Sequence, residues 1–220
     1  EGFGDEGKVM GLAPYGEPVY LDAMRKLVRV SSDGCFELDL DYFVHHAEGV
    51  TMAWKEAEPT LGLLFSDKLV KLFGEPSQPR TAITKQHQDV AASLQAMLEE
   101  AEFAMVRKLE RETGQKALCM AGGVALNSAF NGKVLPNTSF TDIHIHPAAG
   151  DAGTSLGVCY YIYHHVLGNP RTFVMENAYT GPQYSHEQIK TALDKYSLGY
   201  EELDEAAIAA RAAQLVAEGN

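Results

Sequence analysis

The first stretch whose residue types could do chemistry is a glycine turn, Gly122-Gly123-Val124, which follows the apolar run 117–121. Glycines have no Cβ, so a backbone built from them can approach a ligand closely. A helix is predicted to begin near Val124, and the free N–H groups at a helix start favour an anion. Asn127 lies near that end and could donate to a ligand. These features predict a phosphate-binding turn, and the alternative is a strand–helix turn that needs glycine for packing alone.

A second glycine-rich turn, residues 147–153, follows the next predicted strand and contains Gly150 and Asp151. Ligands of open α/β sheets collect at the carboxyl ends of the strands, so two such turns on neighbouring strands predict one site. The Asp151 carboxylate could hold a metal that neutralises phosphate, or it could simply cap the following helix. His144 and His146 share one face of the strand and could join Asp151 as ligands, although such histidine pairs are more often incidental.

The amino-terminal segment carries a weaker set of signals. Residues 2–7 match the dinucleotide pattern Gly-x-Gly-x-x-Gly, but that pattern requires a preceding strand and a following helix. Pro14 interrupts the segment after the pattern, and the acidic residues inside the pattern would repel a pyrophosphate, so we reject it. Residues 1–18 are predicted to form a loop, in which Lys8 either reaches an anionic ligand or is simply solvated.

The elements that must position the two turns are a strand–helix–strand–helix unit. The apolar run 117–121 predicts a buried parallel strand, and Asp142–Ile145 predicts its neighbour. Short glycine turns between such elements indicate an α/β fold. Flanking elements are predicted from periodicity, caps and turn residues. They are a helix from Tyr20 to Val28, a hairpin around Asp33-Gly34, a helix over Leu61–Phe73, and helices capped by Ser185 and Asp204.

A long amphipathic helix from Gln86 to Thr113, ending before Gly114, is the clearest single element. Its apolar residues recur at steps of three and four, which predicts one buried stripe. That stripe comprises Val90, Leu94, Met97, Leu98, Ala101, Met105 and Leu109.

Composition excludes several classes of protein. Hydrophobic residues make up 45% of the 220, enough for a core, so the chain is not a disordered tail. The net charge of −12 argues against nonspecific nucleic-acid binding, which relies on Lys and Arg. The longest apolar runs are too short for a membrane span, so no membrane partner is expected. Three widely spaced cysteines favour a reducing compartment, and we expect a cytoplasmic protein.

Together the motifs resemble the carbamoyltransferases of the nodulation and antibiotic-tailoring family. The matching stretches occur in the family's order and span positions 6 to 182. They are Glu6–Gly16, Ala121–Asn127, Pro147–Gly153 and Tyr179–Pro182. Each glycine turn alone is a weak signal, whereas the ordered set is quite specific.

The resemblance implies an actin-like, sugar-kinase-like (ribonuclease H-like) ATPase fold, similar to that of the tRNA threonylcarbamoylation enzyme. Residues 1–182 would form the carboxyl-terminal half of that domain, and 183–220 a helical lead-in to a further domain. Members of this family take carbamoyl phosphate and ATP, form carbamoyl-adenylate, and pass the carbamoyl group to a hydroxyl of a sugar or natural product. The resemblance implies that the family's other parts are absent here, so this chain alone is expected to be inactive.

The resemblance also implies roles for individual residues. The turn from Gly122 to Asn127, with Gly150, would hold the nucleotide. Asp151 matches the family's metal-binding aspartate, which takes iron or a similar divalent cation. Lys8 matches a family motif and is included with the nucleotide-binding residues without an assigned role. Two alternatives remain, a sugar-kinase or ATPase relative that transfers phosphoryl, and a nonenzymatic nucleotide-binding module. The sequence is compatible with a homo-oligomer without specifying one.

Overall fold

The computed structural model describes residues 6–55, 58–77 and 81–219. They form two compact units, of which the first ends at Pro170 and the second begins at Arg171. The expected boundary at 182/183 therefore lies inside the second unit. That the last segment leads into a further domain stays a prediction.

The described part of the first unit contains seven α-helices. In chain order they are α1 Glu6–Leu12, α2 Leu21–Leu27, α3 His45–Glu48, α4 Asp67–Phe73, α5 Lys85–Thr113, α6 Ser128–Asn137 and α7 Thr154–Tyr160. A π-helical segment, Tyr161–Val166, continues α7. The predicted long helix is confirmed as α5, which is capped by Thr84 and ends at Gly114 in the left-handed conformation. Among the described residues, no helix is both long and apolar enough to cross a bilayer.

Strands form three two-stranded sheets within the described residues. They are β1 Val28–Val30, β2 Phe36–Leu38, β3 Met52–Lys55, β4 Glu58–Leu61, β5 Ala117–Met120 and β6 Asp142–Ile145. The pairs β1–β2 and β3–β4 are antiparallel, and the first is the predicted hairpin. The pair β5–β6 is parallel, with Ala117 opposite Asp142 and Met120 opposite Ile145. The α/β class and the predicted parallel pairing are thus confirmed. The expectation that the first strand is buried was wrong for Ala117 and Cys119, which lie on the exposed face of β5.

A small apolar cluster holds α5 and α6 against the parallel pair. It consists of Val106, Leu118, Phe130, Val134 and Phe140, of which Phe130 and Val134 have no exposed surface. The rings of Phe103 and Phe130 meet edge to face with centroids 4.9 Å apart. This cluster fixes the direction in which β5 and β6 deliver the two glycine turns.

Two predicted elements were wrong. Residues 6–15, expected to be loop, form α1 and a 3₁₀ turn, Ala13–Tyr15. Both pack against α5, and this tertiary packing outweighs the low helix propensity of Gly7 and Gly11. Residues 1–5, which include most of the rejected dinucleotide pattern, lie outside the described residues. The helix expected from Leu61 begins only at Asp67, because Leu61 pairs with Met52 in the β3–β4 sheet.

The predicted buried stripe of α5 was only partly right. Met97 and Ala101 are buried, but Leu94, Met105 and Leu109 are each about 40% exposed. The remaining buried positions are Ala91, Ala92, Ser93, Glu102 and Val106. The segment before α2 covers one side of the helix, where the Tyr20 N–H donates to the Ser93 hydroxyl at 3.0 Å. Six of the seven predicted stripe residues therefore line a groove, in which Leu94, Met105 and Leu109 are the most exposed.

The described residues of the second unit, 171–219, contain two helices, α8 His186–Lys195 and α9 Glu205–Glu218. Both begin at the predicted caps. Ser185 and Gln188 form a capping box, and the Asp204 carboxylate accepts from the Ala207 N–H at 2.8 Å.

Candidate functional site

The parallel register of β5 and β6 brings the two glycine turns into contact. The Gly122 N–H donates to the Ala149 carbonyl at 2.8 Å, which joins the end of one turn to the other. A Cβ built on Gly150 would lie 3.6 Å from the Gly123 Cα. The turns therefore form one surface at the carboxyl edge of the strand pair.

Two glycines in this surface are required by the backbone itself. Gly122 has a φ of +106°, which an L side chain rarely adopts. A Cβ on Gly153 would lie 2.1 Å from the Ala148 carbonyl oxygen. These constraints account for glycine at both positions through turn geometry alone. The glycines alone therefore do not indicate a binding site, and the residues around the two turns decide whether one is present.

A cavity of about 400 Å³ lies where the two turns meet. Gly122, Gly150 and Asp151 line it, so the structure brings together three of the predicted site residues. Its remaining polar side chains are His146, Thr154 and Tyr160, and the other lining residues are small or apolar. A cavity of small residues with a few polar groups is typical of a small-molecule site.

The Asp151 carboxylate is exposed and begins a 3₁₀ turn, Asp151–Gly153, ahead of α7. The N-cap residue of α7 is Gly153, without a side-chain cap bond, so the helix-capping alternative is not what the structure shows. Among the described residues, the carboxylate makes no hydrogen bond or ion pair. A free carboxylate at a cavity wall can supply one oxygen ligand to a hard divalent cation.

A complete metal site is not present within the described residues, which contain no cluster of three or more His, Cys, Asp or Glu able to hold an ion. His144 lies on the exposed face of β6 and does not line the cavity. The histidine pair is therefore not assembled beside Asp151. A cation at Asp151 would take its other ligands from substrate oxygens, water or residues elsewhere.

Other predicted site residues do not line this cavity. The Asn127 Oδ1 accepts from the Phe130 N–H at 3.0 Å, and its amide exchanges two hydrogen bonds with Gln95. Asn127 thus caps α6, which begins at Ser128. The helix expected to start near Val124 is present there only as a 3₁₀ turn, Gly123–Leu126, ahead of α6. Val124 lies instead in the groove along α5. Lys8 is exposed on α1. Ligand contacts by Asn127, Val124 and Lys8 stay predictions.

His146 has a different environment from the one that its sequence pattern suggested. Its Nδ1 accepts a hydrogen bond from the Ala148 N–H at 3.0 Å, inside the second turn. Its Nε2 is buried and has no hydrogen-bond partner among the described residues. The sequence pattern indicated His146 only as a metal ligand. Its position directly after β6, at the ligand-binding edge, was the signal for a role in the cavity.

A second concave region adjoins the first at Ala121 and extends along α5 as a groove of about 510 Å³. Leu94, Met105 and Leu109 line it with residues of β2 and β5. Its one charged side chain among the lining residues is Glu102, which is 6% exposed. Burial, with the nearby Glu99 carboxylate, raises the pKa of Glu102 to about 7.

Comparison with known proteins gives the family context of this geometry. The family model described as carbamoyltransferase N-terminus matches residues 2–160. The nodulation protein NolO of Bradyrhizobium diazoefficiens is 36% identical over 189 residues, 85% of this chain and 30% of its own length. NolNO of Sinorhizobium fredii is 33% identical over 221 residues, 99% of this chain and 29% of its own.

An uncharacterised protein of Synechocystis is 39% identical over 194 residues, which cover 86% of this chain and 29% of that protein. The chain thus spans about 30% of the length of the curated relatives that it matches. The family match covers β5, β6 and both glycine turns. The chain belongs to the carbamoyltransferase family.

Proposed function

We propose that this chain is part of an enzyme that transfers a carbamoyl group from carbamoyl phosphate to a hydroxyl of a sugar or natural product. The donor would be activated with ATP as carbamoyl-adenylate. The observation that carries the proposal is the cavity at the two joined turns, lined by Asp151, inside a segment that matches the carbamoyltransferase family. The proposal concerns the whole protein. The curated relatives are about three times as long as the part of them that matches this chain.

We further propose that β5, β6, α6 and α7 belong to the carboxyl-terminal half of an actin-like, sugar-kinase-like domain. Two parallel strands that deliver glycine turns to the same edge support this assignment. In such a fold the nucleotide phosphate would lie at that edge. The backbone at Gly122 and Gly150 would allow its close approach.

Asp151 sets the electrostatic requirement of this site. Its carboxylate would repel a phosphoryl group in the same cavity, so Asp151 would hold a divalent cation, iron or a similar ion, that offsets this repulsion. Such a cation would neutralise phosphoryl charge and help to hold the mixed anhydride. The role of Asp151 is to anchor that cation at the wall formed by the second turn. Thr154 stands one helical turn behind it, and its hydroxyl donates to the Asp151 carbonyl at 2.6 Å.

In the transfer step, the acceptor hydroxyl oxygen would attack the carbamoyl carbon and form a new C–O bond. The bond between that carbon and the adenylate oxygen would break, with AMP as the leaving group and the hydroxyl proton lost to a base or solvent. The chain's contribution would be to hold both reactants in one cavity, which converts a bimolecular encounter into an oriented reaction.

Three cysteines outside any disulfide support a reducing, cytoplasmic location.

The test is to incubate the full-length protein with carbamoyl phosphate, ATP and a panel of sugar and natural-product acceptors, and to identify the nucleotide product. We expect a carbamoylated acceptor together with AMP. ADP with a phosphorylated acceptor would contradict the proposal and indicate a kinase relative. Nucleotide binding without turnover on any acceptor would indicate a binding module.

A further inference from the structure

A line of polar side chains ties the first glycine turn to α5, and its central residue, Gln95, has no role in the function proposed so far. The amides of Asn127 and Gln95 exchange two hydrogen bonds, from Asn127 Nδ2 to Gln95 Oε1 at 2.9 Å and from Gln95 Nε2 to Asn127 Oδ1 at 3.1 Å. Gln95 Nε2 also donates to Glu99 Oε1 at 3.0 Å. The Glu99 carboxylate in turn accepts from Lys133 Nζ at 2.6 and 2.7 Å. Gln95 therefore links the residue that ends the turn to an ion pair between α5 and α6.

The two ends of this line determine which way each amide faces. At one end, the Phe130 backbone N–H can only donate, so the Asn127 atom that meets it at 3.0 Å is the acceptor Oδ1. At the other end, the Glu99 carboxylate is paired with Lys133 and can only accept, so Gln95 turns Nε2 toward it. A flipped amide at Asn127 would set two donors against each other, and a flipped amide at Gln95 would set two acceptors against each other. One orientation of both amides is therefore favoured.

The centre of the line is sheltered from solvent. Gln95 and Asn127 are half-buried, and the side chain of Glu99 is 16% exposed. Hydrogen bonds are stronger in such surroundings than at an exposed surface, and a polar group that loses its partner there is costly. Removal of the Gln95 amide would therefore leave the Asn127 Nδ2 without its partner on α5 and free the Asn127 side chain to move.

Asn127 closes the 3₁₀ turn that separates it from the cavity, because its N–H donates to the Val124 carbonyl at 2.9 Å. Within the same turn, the Ala125 N–H donates to the Gly122 carbonyl at 3.1 Å. The Gly122 N–H donates to the Ala149 carbonyl of the second turn at 2.8 Å. An unbroken series of hydrogen bonds and peptide links therefore runs from α5 to the cavity wall that Gly122 and Ala149 form.

We propose that Gln95 is a positioning residue of the nucleotide site. It holds the Asn127 amide in one orientation and thereby fixes the first glycine turn relative to α5. Gln95 acts through Asn127, since its own side chain does not line the cavity. The inference rests on the proposed function, because the ligand whose binding it affects is the nucleotide.

A double-substitution cycle on the full-length protein separates this role from general packing. Gln95→Met keeps the length of the side chain and removes its hydrogen bonds. Asn127→Ser keeps an oxygen that can cap α6 and removes the amide that meets Gln95. Gln86→Met is the matched control, because Gln86 lies at the other end of α5, where its Nε2 donates to the Phe73 carbonyl at 2.7 Å. Titration calorimetry with AMP measures the single variants, the double variant and the control.

We expect Gln95→Met to weaken AMP binding about three- to thirtyfold, the range for residues that affect binding without touching the ligand. Adding Gln95→Met to Asn127→Ser should cause no further loss, because Gln95 acts only through the amide that Asn127→Ser has removed. Gln86→Met should bind AMP as the unsubstituted protein does. Unchanged AMP affinity in Gln95→Met would overturn the proposal. So would a double variant whose loss is the product of the two single losses, or an equal loss in Gln86→Met.

Amide hydrogen exchange tests the inference separately from nucleotide binding. In Gln95→Met and, independently, in Asn127→Ser, exchange should be at least about threefold faster at the N–H groups of residues 122–127 and unchanged at the far end of α5. Unchanged exchange in the turn would overturn the inference. If the unsubstituted protein binds no AMP, the proposed nucleotide site itself fails. Normal AMP binding with an unaffected Gln95→Met refutes this inference alone.

Discussion

The cavity at the two glycine turns and the groove along α5 share Ala121, yet the residues that line them differ in polarity. The cavity presents backbone, four glycines and polar side chains that include His146 and Asp151. The groove presents apolar side chains such as Leu94 and Met105, with Glu102 as its one charged lining residue. One region is suited to a charged small molecule. The other disfavours charge, and the raised pKa of Glu102 is the local sign of that environment.

The comparison also shows which features local sequence determines. The first glycine turn was predictable because β5 is a continuous apolar run that leads into Gly122, whose positive φ requires glycine. The second was predictable from its own glycines after β6, in which polar and apolar residues alternate. The groove was not predictable, because the periodicity of α5 predicts an apolar face but does not predict which elements cover that face. Met97 and Leu109 belong to the same predicted stripe, and only Met97 is buried by neighbouring elements.

We expect the largest difference in the free energy of unfolding between variants at Met97 and at Leu109. Met97→Ala removes a side chain that is 2% exposed, and we expect a loss of about 2–5 kcal/mol in the free energy of unfolding. Leu109→Ala, at 43% exposure, should cost at most about 1 kcal/mol. Urea titration of the two variants measures both values. Equal losses would show that the Leu109 side chain is covered as fully as that of Met97.

From the buried carboxyl group of Glu102 we expect a pH dependence of the free energy of unfolding. Because burial raises the pKa of Glu102 from 4.5 to about 7, the folded state holds this proton more tightly than the unfolded state. Its contribution is complete below about pH 4.5 and is lost as pH rises through about 7. At 1.36 kcal/mol per pKa unit, the loss is on the order of 3 kcal/mol.

Glu102→Gln should remove this pH dependence, because the amide does not titrate. The measurement is urea unfolding at several pH values between 4 and 8, with Glu112→Gln on the exposed end of α5 as the matched control. The control should keep the slope of the unsubstituted protein. A Glu102→Gln variant with that same slope would show that the carboxyl is solvated.

At the cavity, Gly153→Ala tests the turn that holds Asp151. The added Cβ would collide with the Ala148 carbonyl oxygen, so we expect a loss of about 1–3 kcal/mol and weaker AMP binding. Gly132→Ala in α6 is the control, since nothing lies within 4 Å of its added Cβ. That variant should gain about 0.5–1 kcal/mol from helix propensity and bind AMP normally. Thermal unfolding and calorimetry would detect both effects, and unchanged AMP affinity in Gly153→Ala would contradict the placement of the site.

Three-dimensional context explains the remaining differences between sequence and structure. The Asn127 side chain accepts from the Phe130 N–H and caps α6, a role that the spacing of residues did not predict, while its contact with a ligand stays a prediction. Glycines predicted a loop at residues 6–15, but packing against α5 stabilises α1. The hydrogen bond from the Ala148 N–H to the His146 Nδ1 and the buried, unpaired Nε2 of the same ring are features that no spacing rule predicts.

The most direct test of the account is the cation dependence of AMP binding at Asp151. Calorimetry would compare the full-length protein with Asp151→Asn, and with Asp142→Asn at the far end of β6 as the matched control. We expect AMP binding that requires a divalent cation, an affinity at least about tenfold lower in Asp151→Asn, and no change in Asp142→Asn. Equal affinity in Asp151→Asn, with the same cation dependence, would contradict the assignment of this cavity as the nucleotide site.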